Sequence, residues 1–73
     1  MPLRPLRFRE VRRKLEAAGF SIVSQRGIHV KFIKRTEAGV ITAIVPNHPE
    51  VAVGTLRSVL RQAGLTAEEF ETL

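Results

Sequence analysis

"FSIVSQRGIHVKFIK", residues 20–34, decides the fold. On either side of Arg26-Gly27, β-branched and aromatic side chains alternate with polar ones, the pattern of two half-buried strands meeting at a tight turn. The second strand, from Ile28 to Lys34, is expected to send Ile28, Val30 and Phe32 to one face and His29 and Lys31 to the other. "VITAIV" at 40–45 follows a looser turn ending at Gly39 and supplies a third strand.

Upstream, Phe8, Val11, Leu15 and Ala18 recur at helical spacing, which places one apolar stripe on a helix from about Arg7 to Ala18. Gly19 stops that helix, and Phe20 is expected to fold back on Leu15 as in a Schellman motif. The stretches "LEAAGF" and "LRQAGL" are two uses of this one helix stop. Downstream, "PNHP" at 46–49 breaks the sheet and leads into a loop through Val51 to Val53. Gly54 and Thr55 are expected to cap a second helix, whose Leu56, Val59, Leu60 and Ala63 face the core and which stops at Gly64. Thr66 with Glu69 spells a capping box for a short third helix, with Leu65 and Phe70 as its hydrophobic staple. There is no linker, low-complexity tract or second domain. Residues 1–73 are expected to form a single α+β domain of order αβββα plus a terminal helical turn, with both helices on one face of a three-stranded antiparallel sheet.

A chain of 73 residues buries only about 60–65% of the surface its unfolded form exposes, so its core must be simple. Four Phe with no Tyr or Trp supply few platforms for stacking single-stranded bases. The absence of cysteine excludes disulfides, zinc–cysteine sites and thiol nucleophiles. No apolar run approaches the roughly 18 residues of a membrane span, and "MPLRPLRFRE" lacks the apolar segment of a secretory signal. A cytoplasmic protein with no membrane contact is expected.

The formal charge is +5, from twelve Lys and Arg against seven Asp and Glu. Arg4, Arg7, Arg9, Arg12, Arg13 and Lys14 load the N-terminal quarter, while Glu68, Glu69 and Glu71 crowd the end. Such a basic excess suits a polyanion partner, and it equally suits a solvated helix face.

With the helices covering the apolar face of the sheet, His29 and Lys31 are expected on its open face. A metal site built from His29 and His48 is not expected. The two show no ligand spacing, and Glu37 and Glu50 form no arrangement around them.

The order and spacing of "LEAAGF", "GIHVKF", "VPNH" and "GTLRSVLRQAG" resemble the HicA toxin family of bacterial and archaeal toxin–antitoxin systems over nearly the whole chain. The resemblance implies a double-stranded-RNA-binding-like fold, in agreement with the αβββα order. It implies a messenger-RNA endonuclease that needs no metal or other cofactor and is silenced by a HicB-type antitoxin. It also implies that His29, the histidine of the family's G-S-H motif, is catalytic. The sequence departs from that motif at Ile28, where the family has Ser. If strand alternation holds, Ile28 sits on the core side at no cost to packing.

RNA carries its own nucleophile, the 2′-hydroxyl. Cleavage then needs a base for that proton, an acid for the departing 5′-oxygen and cations for the charge developing on phosphorus. Imidazole suits either proton role, because its reference pKa of about 6.5 keeps both forms populated near neutrality. Lys31, with Lys34 and Arg35 just beyond, is expected to hold the phosphate. His48 stays open between a second acid or base, an RNA contact and an ordinary loop residue. Two readings stand beside the nuclease: a non-catalytic RNA-binding module on the same fold, and an interaction protein whose basic face docks an acidic partner.

Overall fold

The computed structural model describes residues 3–73, so Met1 and Pro2 of the expected domain lie outside it. The chain runs α1 (Phe8–Ala17), β1 (Ser21–Arg26), β2 (His29–Thr36), β3 (Gly39–Pro46), α2 (Val53–Ala63) and α3 (Ala67–Glu71). The strands form one antiparallel sheet in the order β1-β2-β3. This is the expected α+β architecture.

The two helix stops form as their sequences require. Gly19 and Gly64 take φ of 99° and 72°, values that an L side chain rarely adopts. The amides of Phe20 and Leu65 then donate to the carbonyls of Leu15 and Leu60, each at 3.0 Å, the six-to-one bond of a Schellman motif. The capping box on α3 is also present: Thr66 Oγ1 accepts from the Glu69 amide at 3.0 Å, and Glu69 Oε1 accepts from the Thr66 amide at 2.8 Å.

Helix α2 begins earlier than expected. Its N-cap is Ala52, with no side-chain cap, so Gly54 and Thr55 lie inside the first turn and cap nothing. The backbone sets this start. Leu6 and Val51 exchange amide–carbonyl bonds at 3.1 and 2.6 Å, and each is followed at once by a helix N-cap, Arg7 for α1 and Ala52 for α2. One antiparallel bridge thus anchors the start of both helices.

The core lies between the sheet and these helices. Val30 and Phe32 of β2 and Ala43 and Val45 of β3 are buried against Val11 and Leu15 of α1 and Leu56, Val59, Leu60 and Ala63 of α2, with Phe20 and Phe70 closing the ends. The Phe8 and Phe32 rings meet with centroids 6.3 Å apart. Burying a side chain the size of Phe32 stabilises by about 1.5–3 kcal/mol, and no buried side-chain polar atom among the described residues lacks a partner to offset that gain.

Ile28 departs from expectation. Arg26 pairs directly with His29, so the hairpin loop consists of Gly27 and Ile28 alone, and Ile28 is a turn residue outside the ladder. It is 45% exposed and does not reach the core. Gly27 takes φ of 58°, the positive value that the first position of such a two-residue turn needs. The Gln25 side chain braces the turn by donating to the Gly27 carbonyl at 3.0 Å.

Candidate active site

Residues directly opposed in a ladder share a face, so the register defines the uncovered side of the sheet. Across its end, Arg26, His29 and Pro46 lie side by side, followed by Ser24, Lys31 and Ile44. Five of these six, all but Pro46, line one groove together with Gln25; its volume is about 540 Å³. His29 is exposed, and its neighbours Val30 and Asn47 hold its surroundings in place. Val30 is buried on the helix side, and the Asn47 amide donates to the Ile28 carbonyl at 2.6 Å, tying the loop after β3 to the turn before His29.

The cations expected beside His29 divide between the two faces. Lys31 lines the groove. Arg35 follows it on the same face, two pairs farther along, opposite Val40. Lys34 has the parity of Val30 and Phe32 and points to the helix side. Its ammonium lies 5.9 Å from the centroid of the Phe20 ring, and its stem would be the first thing a side chain at Gly19 met. It therefore does not join Lys31 and Arg35, because strand alternation separates residues 31 and 34 whatever their charge.

His48 also lies apart from the groove. It lines a different, shallower cleft with Arg7, Phe8 and Arg9 at the start of α1 and with Asn47 and Pro49. The structure does not bring the two histidines into one cavity. Among the described residues, no three His, Cys, Asp or Glu side chains gather closely enough to hold a metal ion.

The basic N-terminal quarter is partly self-neutralised. Arg12 and Arg13 pair with Glu16 and Glu10 of their own helix, both at 3.3 Å. The hydrogen bond from Arg13 and its positive charge hold the Glu10 carboxyl below the usual carboxylate range. Lys14 donates to the carbonyls of Phe70 and Leu73 at 3.0 and 3.1 Å and so serves as a clamp on α3. Arg26, Lys31 and Arg35 form no ion pair among the described residues.

The groove also contains residues that the motif pattern did not single out: Ser24, Gln25, Arg26 and Ile44. The sequence reading puts Arg26 in the turn with Gly27, so its place beside His29 emerges only from the observed pairing of the two. For Ser24, Gln25 and Ile44 there is no signal without the register.

The sequence pattern described as HicA toxin of bacterial toxin-antitoxin matches residues 8–65, from the first residue of α1 to the residue after the glycine that ends α2. The chain belongs to the HicA toxin family. No individual curated protein matches it. Membership makes the chain a toxin-family protein and implies a cognate antitoxin as its partner. The match takes in every strand and the whole groove; α3, with its capping box and the carbonyls of Phe70 and Leu73 that Lys14 holds, lies beyond it. No helix among the described residues of this HicA-family chain is long and apolar enough to cross a membrane.

Proposed function

We propose that this HicA-family protein is an endoribonuclease acting on messenger RNA, with His29 as its catalytic residue. The observation that supports this most directly is an exposed imidazole in a groove that also holds Lys31, on the uncovered face of a sheet whose other face carries the core. An open site of this kind admits a polymer backbone from solvent.

The chemistry needs few groups. The neutral imidazole of His29 takes the proton of a ribose 2′-hydroxyl, the 2′-oxygen forms a bond to phosphorus, and the bond from phosphorus to the 5′-oxygen breaks. The leaving oxygen takes a proton from water, the hydroxide so formed takes the proton that the imidazolium carries, and the products are a 2′,3′-cyclic phosphate and a free 5′-hydroxyl. Lys31 stabilises the charge that develops on the phosphoryl oxygens. Lys31 and Arg35, in one line along β2, hold successive phosphates of the strand. His48 and Lys34, on other surfaces, take no part in the chemical step. A HicB-type antitoxin with an acidic surface would cover the same face, because a surface that attracts phosphates attracts carboxylates too.

The test is cleavage of a long single-stranded transcript in EDTA by the wild type and by His29→Ala, with melting curves for both. The nuclease reading expects cleavage by the wild type and none by a mutant that melts at the same temperature. A wild type that binds the transcript and never cuts it would make the protein an RNA-binding module instead.

A further inference from the structure

Strand β1 is irregular at one residue. Ser21 faces Ile33 and Ile22 faces Phe32, but beyond them Ser24 faces Lys31, Gln25 faces Val30 and Arg26 faces His29. Val23 is the extra residue of a β-bulge, with its side chain 51% exposed. The bulge has a geometric effect on everything that follows it. In a regular strand, Ser24 and Arg26 would share the parity of Ile22, which packs on the core under the helices. With Val23 taken up by the bulge, both turn to the open face. Ile22 keeps its place in the core, and Arg26 arrives beside His29.

We infer that Arg26 is a second catalytic residue of this site, the one that grips the phosphate undergoing cleavage, and that the bulge at Val23 is what aims it there. This rests on the reading of the groove as an RNA-cleaving site. Arg26 and His29 are directly opposed, and opposed Cα atoms in an antiparallel ladder lie about 4.5–5.5 Å apart. Both side chains line the groove, and Arg26 has no ion-pair partner among the described residues to draw it away. A guanidinium presents paired N–H donors in a plane that matches two phosphoryl oxygens, which the single ammonium of Lys31 does not. With Arg26 on β1 and Lys31 on β2 flanking the imidazole, a phosphate above His29 meets positive charge from two strands. Bulges recur beside active sites because they re-aim a side chain without dismantling the sheet.

The decisive variant moves the guanidinium out of the groove. Arg26→Ala combined with Ala38→Arg keeps composition and net charge but carries the guanidinium to the exposed turn between β2 and β3, away from the groove lining. This double variant, Arg26→Ala, Arg26→Lys and, as a control on a remote helix, Arg61→Ala are compared in two assays. One is single-turnover cleavage of an RNA oligonucleotide; the other is binding of uridine 3′-monophosphate followed by the NMR signals of the His29 ring. The expected results are a loss of about 100-fold in cleavage for Arg26→Ala and for the double variant, partial recovery in Arg26→Lys, and wild-type behaviour in Arg61→Ala. Nucleotide binding should weaken by about tenfold with Arg26→Ala, as loss of charge-assisted hydrogen bonds requires, at an unchanged melting temperature. Cleavage by the double variant at the wild-type rate would show that charge suffices without position and would overturn the inference. So would unaltered cleavage and binding in Arg26→Ala. Should the wild type itself fail to cut RNA, the nuclease reading falls, and the nucleotide titration alone judges Arg26: weakened binding sustains its phosphate-gripping role and unchanged binding ends it.

Discussion

Lys31 and Lys34 stand three residues apart on one strand and on opposite faces of the sheet: Lys31 lines the groove of His29, while the Lys34 ammonium lies 5.9 Å from the Phe20 ring centroid. Their equal charges therefore serve different ends. Lys31→Glu should weaken RNA binding and flatten the log–log dependence of affinity on salt by about 0.7 for each phosphate that the protein no longer neutralises. Lys34→Glu should leave that slope unchanged and lower stability by about 0.5–1 kcal/mol, because the ring of Phe20 then has no cation beside it. Salt titrations of binding, with denaturant melts of both variants, separate the two.

Antitoxin binding should follow the same division. A partner that docks on the open face competes with RNA, so excess RNA made non-cleavable by 2′-O-methylation should slow formation of the complex. Lys31→Glu should weaken both partners, and Lys34→Glu neither. An antitoxin whose affinity is undiminished on RNA-saturated protein must bind elsewhere and inhibit from a distance.

The clamp on α3 gives a prediction about stability alone. Lys14→Met keeps most of the apolar stem but removes the ammonium that holds the Phe70 and Leu73 carbonyls. Charged hydrogen bonds in a part-buried site make this worth about 1–2 kcal/mol, and in a domain of this size each kcal/mol moves the melting temperature by about 4–8 °C. Calorimetry should show that drop, with cleavage at 25 °C unaffected.

Core truncation behaves differently. Phe32 is fully buried and meets the Phe8 ring, so Phe32→Ala removes about 3–5 kcal/mol. For a domain this small that is most of its stability. Far-UV circular dichroism should show a largely unfolded chain, and loss of function in this variant would carry no information about the groove.

The fold was legible where one residue type has one physical use. Gly19 followed by Phe20, and Gly64 followed by Leu65, announce helix stops, and the spacing of Val11 and Leu15 or Leu56, Val59 and Leu60 announces buried helix faces. Alternation in β2 likewise placed His29 and Lys31 on the open side. The errors arose where backbone geometry has no side-chain signature. Nothing in "SIVSQR" marks Val23 as a bulge, because a valine suits a regular strand equally well. Ile28 looked like a strand residue because it is β-branched, yet the pairing of Arg26 with His29 leaves it in the turn. Thr55 looked like a cap, but the Leu6–Val51 bridge starts α2 earlier. Lys34 was grouped with Lys31 by charge, although alternation, read strictly, already separated them.

All the side chains that line the groove come from residues 24–44, the middle third of the chain. The face behind them, however, is buried against Leu56, Val59, Leu60 and Ala63, which follow them in the sequence, and the Leu6–Val51 bridge cannot close until Val51 exists. On the ribosome, His29 and its neighbours would therefore be synthesised well before the helix that braces their sheet. Until then only Val11 and Leu15 of α1 cover the apolar face of the sheet from the helix side. The support of the groove is thus completed only after α2 has been made, although every side chain that lines it precedes that helix.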